Sequence, residues 1–467
     1  HEDGAVGVLM LQQVLQRIQR ARPGDHRMAA GRELINAMRG LLHHRYFRSV
    51  PALPHQRNEQ RPSGSMIPPP TTSAERTATL PDLGDTRTAF AHMSDADLWR
   101  AQQLFRIIGN PTITAAGSWL TKVALGLHLP IKGVVKATIF RQFCGGETIE
   151  ESLGTAARLA KSGVGTILDH SVEGQEDEAT LDHTMEEILR TVAVAKDRKE
   201  IPFSVFKPAG ICRFALLEKK SASTLNDAEQ AEWARVEARM LRLCQAAYDA
   251  GEPILVDAEE SWIQPAIDAL VERMMERFNR ERAIVYNTVQ LYRHDRLAYL
   301  KAAHERAVKG GYFIGMKLVR GAYMEKERAR AAEQGYPDPI QPDKAASDRD
   351  YDAALRFCVE HIDRISVVAG THNERSSLLL ARLMQERGLA HNDPRIHFSQ
   401  LLGMSDNISY NLAAAGYNVA KYVPYGPVRE VLPYLIRRAQ ENTSARGQTG
   451  RELGLILTEQ KRRRSGR

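Results

Sequence analysis

The chain has 467 residues, of which 43% are apolar and 26% are charged, and this composition excludes the disordered chains that hold too few apolar residues to fold. Its formal net charge is +7, but residues 1–65 contribute +5 and residues 461–467 another +5, so the residues between them carry about −3. A protein that binds nucleic acid through its folded body is therefore not expected, because such a body is basic and interleaved with aromatic side chains.

The cysteines and the hydropathy exclude two further classes. The four cysteines are scattered, without the paired spacing of a zinc site or a disulfide framework, so we expect no bound metal and a reducing compartment. No run of the sequence reaches the ~18 consecutive apolar residues that a transmembrane helix needs. A soluble or peripherally attached protein is expected.

The N-terminal region reads as a series of short segments before the main domain. Two stretches of helical apolar spacing on either side of Pro23-Gly24 indicate a basic helical leader, either native or an artificial extension. A Pro/Ser/Thr-rich linker follows, then a helical lead-in, the main domain and a basic C-terminal tail. The expected boundaries are 1–65, 66–84, 85–130, 131–446 and 447–467.

Within the main domain, short apolar runs rich in β-branched residues alternate with stretches of helical periodicity. One helix is expected over Ala231–Tyr248, whose apolar residues share a face opposite Glu and Arg. Eight strands that alternate with helices over about 300 residues predict an α/β fold, a closed (βα)8 TIM barrel. The expected strands are Val135–Phe140, Gly165–Asp169, Phe203–Phe206, Ile254–Asp257, Ile284–Leu291, Phe313–Val319, Val367–Gly370 and Ile396–Leu401.

Polar side chains stand where five of these strands end. The carboxyl ends of barrel strands meet at one face, so these side chains are expected to converge on a site. No GxGxxG opens a helix and no GxxxxGK[ST] occurs, so a classical dinucleotide-binding fold and a P-loop are not expected, although a phosphate-bearing cofactor could bind near the later strands. The residues are Lys207; Asp257, Glu259 and Glu260; Gln290; Lys317 and Arg320; Thr371, His372 and Asn373.

A helix that starts at Pro427 is expected to carry Tyr434, Arg437, Arg438 and Glu441 at spacings of three and four. Two guanidinium groups and a phenol that point inward have the chemistry to grip a small carboxylate, with Glu441 holding one guanidinium. The alternative is a solvated basic face with an intrahelical Glu–Arg pair.

At these residues the sequence resembles the proline dehydrogenase family, in its monofunctional, mitochondrial-like branch. The resemblance implies a distorted (βα)8 barrel, capped by the C-terminal helix, that holds FAD and removes a hydride from C5 of L-proline. The product would be 1-pyrroline-5-carboxylate, and the electrons would pass to a quinone. The similarity runs from about Asp85 to Asn442 through ATIFRQFCGGETIEES, GTILDHSVEG, IPFSVFK, ILVDAEESWIQ, NTVQLY, KLVRGAY, THNERS, FSQLLGMSDNISYNLAAAGY and YVPYGPVREVLPYLIRR.

The resemblance also implies roles for individual residues. Lys207 and Asp257 correspond to a pair on the third and fourth strands beside flavin and substrate. Lys317 stands where the bifunctional bacterial branch has Arg. Lysine keeps the positive charge of Arg but lacks its bidentate guanidinium. The residues implied for proline are Arg437, Arg438, Tyr422, Tyr434, Leu401 and Glu441, and those implied for FAD are Gln290, Lys317, Val319, Arg320, His372 and Asn373.

Other activities remain open at this stage. A 4-hydroxyproline dehydrogenase is the nearest alternative, followed by another barrel flavoenzyme such as a folate reductase and by a Schiff-base aldolase that uses Lys207. A metal-dependent barrel hydrolase normally requires more than one well-placed histidine, but it could use Asp257, Glu259, Glu260 and His372.

The expected partners follow from the resemblance. They are L-proline, a membrane quinone and, in transient contact, a separate 1-pyrroline-5-carboxylate dehydrogenase, since about 25 residues follow Asn442. No nucleic acid is expected. The expected location is the bacterial cytoplasm, peripheral at the inner membrane, or the mitochondrial matrix and inner membrane if the source is eukaryotic; the basic ends would contact the anionic surface.

Overall fold

The fold is described for residues 80–109, 132–171, 176–444 and 446–466 of a computed structural model. The expectations for residues 1–65, for residues 66–79 of the linker and for residues 110–130 of the helical lead-in lie outside these ranges.

Eight parallel strands form a closed barrel in the order of the sequence, from β1 beside β2 around to β8 beside β1. Each strand pairs with its sequence neighbour, and helices connect them on the outside, so the predicted (βα)8 barrel is confirmed. The strands are β1 (Val164–His170), β2 (Phe203–Phe206), β3 (Ile254–Val256), β4 (Val285–Gln290), β5 (Ile314–Val319), β6 (Ile365–Gly370), β7 (Ile396–Leu401) and β8 (Val419–Tyr425).

Sixteen α-helices lie in the described ranges, and several follow directly from capping signals in the sequence. Ser94 and Asn226 each form a capping box with the residue three positions on, which fixes the starts of the second and eighth helices. The helices are α1 (Thr86–Ala89), α2 (Asp95–Ile108), α3 (Lys132–Val135), α4 (Arg141–Phe143), α5 (Ile149–Ala160), α6 (Glu178–Ala195), α7 (Phe214–Ala222), α8 (Asp227–Ala250), α9 (Gln264–Phe278), α10 (Arg296–Gly310), α11 (Met324–Gln334), α12 (Lys344–Glu360), α13 (Glu374–Glu386), α14 (Asp406–Ala414), α15 (Val428–Ser444) and α16 (Arg446–Ser465).

Side chains alternate between the two faces of each strand, so the core has two layers. Residues that point into the barrel, among them Ile167, Val205, Leu255 and Val368, form a compact inner cluster. Residues on the outer face of the strands pack against the surrounding helices in a much larger cluster. The barrel interior is therefore filled, and the chemistry is confined to its carboxyl face.

The prediction of the first strand, Val135–Phe140, was wrong. Val135–Phe140 is helical, with a π-helix over Lys136–Phe140 between α3 and α4. Phe140 and Phe143 are buried at helical spacing, whereas Ala137 and Thr138, in the turn before Phe140, are exposed. A short β-branched run does not distinguish a strand from a partly buried helix.

The eighth strand, β8, was missed for a related reason. Its sequence, VAKYVPY, contains a lysine and a proline and therefore lacks the apolar pattern of a buried strand. The lysine is nevertheless almost completely buried between β8 and α14, where Lys421 Nζ donates to Met404 O at 2.7 Å and pairs with Asp406 Oδ1 at 2.8 Å. Because the first expected strand is a helix, each later strand moves down one place in the count. Lys207 and Asp257 therefore follow the second and third strands, β2 and β3, and the expected positions on the third and fourth strands were wrong.

The C-terminal residues form the helix α16, which packs on α1 and α2 through Leu455 and Ile456. Two of its charged residues serve this contact: Arg463 donates to the carbonyls of Phe90 and Met93, and the buried Glu459 accepts from Thr86 Oγ1. Part of the basic charge in this region is therefore used inside the protein. Among the described helices, none combines the length and the apolar character needed to cross a bilayer.

Candidate active site

Charged side chains from three strands meet at the mouth of the barrel. Lys207 directly follows β2, Asp257 directly follows β3, and Lys317 lies within β5 and points inward. The two Asp257 oxygens are shared between the lysines: Oδ2 lies 3.3 Å from Lys207 Nζ, and Oδ1 pairs with Lys317 Nζ. The site therefore contains a carboxylate bridged by two ammonium groups.

Asp169, at the end of β1, is a site residue that sequence reasoning missed. Its Oδ2 lies 3.4 Å from Lys207 Nζ and accepts a hydrogen bond from Ser171 Oγ at 2.9 Å. With Asp169 included, two carboxylates balance two ammonium groups. The signal was present, because Asp169 closes the apolar run GTILD just as Asp257 closes ILVD.

The protonation states of this cluster follow from burial and charge. Burial alone would raise the pKa of Asp257, but Lys317 and Lys207 outweigh it and hold that pKa below its usual value. Burial lowers the pKa of Lys317, and the attraction of Asp257 opposes this. Asp257 is therefore ionised at neutral pH.

Tyr422, on β8, contacts the same cluster of charged side chains. Its phenol oxygen accepts a hydrogen bond from Lys317 Nζ at 2.6 Å and donates one to Asp257 Oδ1 at 3.3 Å. Burial and the nearby Asp257 and Asp169 carboxylates raise the pKa of Tyr422 well above 10, so it stays a phenol. Leu401 lies opposite it in the β7–β8 register. The ring of Tyr422 is thus fixed in one orientation.

The helix α15 begins at Val428, directly after Pro427 as predicted, and buries Tyr434 and Arg438, while Arg437 is half-buried. The Arg438 guanidinium lies 5.2 Å from the centre of the Tyr434 ring. The charges of these arginines act on residues that follow β6 and β5: burial lowers the pKa of His372 and Arg438 adds to this, whereas burial raises the pKa of Tyr323 and Lys207 and Arg437 oppose it. The side chain of Glu441 lies outside the described part of the structure.

His372 and Asn373 follow β6 in the loop before α13. Burial, reinforced by Lys421, Arg438 and Arg320, lowers the pKa of His372 to about 3, so the imidazole is neutral. Asn373 caps α13, since its Oδ1 accepts from the backbone N–H groups of Arg375 and Ser376.

Arg320, one residue after β5, is held by protein groups on each side. Its three guanidinium nitrogens pair with Asp348 at 2.7 Å, Thr371 Oγ1 at 2.8 Å and Ser376 Oγ at 3.0 Å. Arg320 therefore links the end of β5 to the loop that carries His372, and any contribution to a cofactor would use its remaining N–H groups.

The residues at this mouth fit a flavin nucleotide in one specific respect. Gln290 ends β4 at the same face, and its buried Oε1 has no hydrogen-bond partner among the described residues. A buried amide oxygen of this kind needs a donor, which a flavin ring provides in its N–H group. Val319, at the end of β5, supplies an apolar side chain next to it in the register. Among the described residues, no cluster of His, Cys, Asp and Glu could hold a metal ion.

Comparison with known proteins gives the family to which the sequence is similar. The sequence profile of the proline dehydrogenase family matches residues 152–451. The chain is 38% identical over 326 residues to the carbapenem antibiotics biosynthesis protein CarD of Pectobacterium carotovorum subsp. carotovorum, covering 69% of this chain and 84% of that protein. It is 30% identical to the mitochondrial proline dehydrogenase 1 of Arabidopsis thaliana, covering 82% of this chain and 86% of the relative.

Two further comparisons cover only part of a longer protein. The chain is 44% identical over 244 residues to the mitochondrial proline dehydrogenase 1 of Homo sapiens, covering 52% of this chain and 41% of the human protein. The crystal structure of proline utilization A from Bdellovibrio bacteriovorus superimposes with a TM-score of 0.61 at 19% identity, covering 78% of this chain and 38% of that one. This second likeness concerns the fold.

Proposed function

Because this chain belongs to the proline dehydrogenase family and is therefore an oxidoreductase that acts on proline, we propose that it oxidises L-proline to (S)-1-pyrroline-5-carboxylate. In this proposal FAD would supply the acceptor for the hydride from C5, and a quinone would receive the electrons. The observation that supports it most is the convergence of Lys207, Asp257, Lys317 and Tyr422, from four different strands, at the mouth of the barrel.

Arg437 and Arg438 are proposed to bind the carboxylate of proline. A guanidinium presents planar N–H donors that match a carboxylate bidentately, and adjacent arginines on one helix turn fix both the position and the direction of the substrate. Glu441 is proposed to support one of them. The barrel cluster itself has balanced charge, so the arginines supply the net positive potential that an anionic substrate group needs.

Tyr422, Tyr434 and Leu401 are proposed to enclose the pyrrolidine ring. Tyr422 is held by Lys317 and Asp257, so its ring provides a rigid wall with little conformational freedom to lose. Hydride leaves a carbon next to nitrogen only when the nitrogen lone pair is available, so the bound amine must be neutral. Apolar walls favour that neutral form and exclude water.

Gln290, Lys317, Val319, Arg320, His372 and Asn373 are proposed to hold FAD. The flavin, when bound, supplies the acceptor for the hydride that leaves C5 of proline. Lys207 and Lys317 stabilise negative charge that develops next to them, while Asp257 keeps both ammonium groups in fixed positions. The protein therefore acts by orientation and electrostatics.

Anaerobic reduction of the bound flavin tests the proposed function directly. We expect the purified protein to absorb near 450 nm and to lose that absorbance on addition of millimolar L-proline, with recovery on addition of a soluble quinone. A matched sample with D-proline controls for non-specific reduction. A colourless protein, or a flavin that L-proline leaves oxidised, would rule the proposal out.

Replacing Tyr422 with Ser should change the choice between proline and 4-hydroxyproline, the nearest alternative substrate. A phenol ring against C4 leaves little room for a hydroxyl group, so we expect the ratio of kcat/KM values to shift about 10-fold toward 4-hydroxyproline. Tyr422→Phe is the matched control: it keeps the ring and loses the bonds to Lys317 and Asp257, so kcat/KM for proline should fall while the ratio stays constant. An unchanged ratio in Tyr422→Ser would contradict the steric explanation.

The location and the further partners are proposed from the relatives and from charge. Several relatives are named as mitochondrial proteins, which suggests that location here if the source is eukaryotic. Contact with a membrane quinone is supported by the basic end of α16, where Lys461 and Arg464 lie beside the exposed Trp99 and Leu457. Sedimentation with vesicles that contain anionic lipid checks this contact. The last proposed partner is a separate 1-pyrroline-5-carboxylate dehydrogenase, which consumes the product in transient contact with this protein.

A further inference from the structure

The helix α16 places a buried carboxyl group against the loop that follows β7. Glu452 is 5% exposed, and its Oε1 accepts a hydrogen bond from the backbone N–H of Ser405. The match to the family profile ends at residue 451, so Glu452 lies immediately beyond the matched region. None of the site residues expected from the sequence lies on this helix.

Ser405 has a backbone conformation that needs support. Its φ of 50° and ψ of 45° lie in the left-handed region, which residues other than glycine rarely occupy. Its carbonyl accepts from the N–H groups of Ile408 and Ser409 at 3.1 Å, and Lys421 Nζ binds the preceding carbonyl, that of Met404, at 2.7 Å. Glu452 supplies the acceptor for the N–H group of Ser405, which completes the support of this turn.

The side chain of Ser405 reaches the proposed flavin site. Its Oγ lies 2.9 Å from Nδ1 of His372. A neutral imidazole carries one N–H group, and the hydrogen bond at one ring nitrogen decides which nitrogen carries the proton and how the ring is oriented. The conformation of Ser405 therefore controls the direction in which His372 presents its donor.

We propose that Glu452 is a positioning residue for the cofactor, which acts through Ser405 on His372. The inference rests on the proposed function, because it takes His372 to contact FAD. It adds that the C-terminal helix, which lies outside the barrel, determines how firmly the cofactor is held. The chain of contacts is short and specific: carboxyl to backbone amide, then hydroxyl to imidazole.

The surroundings of Glu452 indicate which substitution conserves its role. Burial and the nearby Asp406 raise the pKa of Glu452 to about 7, while the Ser405 hydrogen bonds and Lys421 oppose this. Asp406 itself pairs with Lys421 and lies 3.8 Å from His92 Nε2. Both the carboxyl and the carboxylate have an oxygen that can accept an N–H bond. Glutamine keeps that oxygen and the volume, whereas leucine removes the acceptor.

The release of FAD from the holoenzyme on dilution, followed by the rise in flavin fluorescence, tests the inference. We expect Glu452→Leu to release FAD about 10-fold faster than the wild type and Glu452→Gln to stay within 2-fold. Glu459→Leu is the matched control, since Glu459 is a buried carboxylate on the same helix that binds Thr86, Arg462 and Arg463 instead of the loop. It should lower Tm and leave the FAD release rate within 2-fold.

A double variant separates positioning from a general loss of structure. In a His372→Ala background the contact to Ser405 is already lost, so adding Glu452→Leu should change the FAD release rate by less than 2-fold. Hydrogen exchange of the peptide that contains Ser405 should be faster in Glu452→Leu, with or without FAD. Additive effects on FAD release, or equal effects of Glu452→Leu and Glu459→Leu, would overturn the inference and leave the proposed function intact. A wild-type protein that binds no FAD would overturn both.

Discussion

Arg437→Met is expected to lower kcat/KM for L-proline by about 10²–10⁴-fold, mainly through a higher KM, and to leave the absorption spectrum of the flavin unchanged. Two charge-assisted hydrogen bonds to a carboxylate are each worth about 1.5–3 kcal/mol, and methionine keeps the length of the side chain without the donors. The proposed role of Arg437 concerns the substrate alone, so a change in KM without a change in the flavin is the specific signature. Steady-state kinetics and the visible spectrum of the same preparation provide the measurement.

Pyrrolidine, which has the ring but no carboxylate, is the matched substrate control for this variant. Its rate of flavin reduction should be the same in Arg437→Met and in the wild type, within about 3-fold, because the lost interaction is one that pyrrolidine cannot make. Arg429→Met, at an exposed position near the start of the same helix, is the control variant and should leave KM for proline unchanged. An altered flavin spectrum with an unchanged KM would instead assign this helix to the cofactor.

Most of the fold could be predicted because a (βα)8 barrel repeats one pattern. Seven strands were found from their apolar runs, since inward and outward faces are both buried in such a barrel. Both errors arise where local hydropathy does not indicate the element. The strand β8 contains a polar side chain that is buried, and Val135–Phe140 is an apolar run that is helical. Lys421 is buried on β8 because Asp406 and the Met404 carbonyl neutralise and bind its ammonium group. No local pattern in the sequence specifies a partner 15 or more residues away.

The candidate site was predictable to the extent that strand ends and resemblance define it. Lys207 and Asp257 follow from their positions directly after strands and Lys317 from its position in the last half of one, and the structure brings both lysines into contact with Asp257. The same criterion predicts Asp169, which closes the run GTILD and lies 3.4 Å from Lys207 Nζ. Glu452 could not have been found in this way, because its importance depends on the docking of α16 against the loop after β7. Contacts of that kind arise from tertiary packing.

Asp257→Leu is expected to have the largest effect on stability, because it leaves Lys317 buried without the carboxylate that pairs with it. Removing one partner of a buried ion pair costs about 3–5 kcal/mol, so the free energy of unfolding at pH 7 should fall by about that amount. The loss should be smaller at pH 9.5, since the pKa of Lys317 is already lowered by burial and the orphaned amine deprotonates as the pH rises. Urea unfolding at the two pH values measures both effects.

The double variant Asp257→Leu/Lys317→Met distinguishes the cost of the orphaned charge from the catalytic role of the pair. Removing both charges replaces the buried pair with apolar side chains of similar size, so most of the lost stability should return. Activity should not return, because Tyr422 then lacks both hydrogen-bond partners that fix its ring and Lys207 loses one of its carboxylates. Glu186→Ala, which breaks the exposed pair with Arg242, is the control and should cost less than about 1 kcal/mol. Recovery of kcat/KM together with stability would mean that Asp257 and Lys317 act only as structural residues, and the electrostatic part of the proposed mechanism would have to be abandoned.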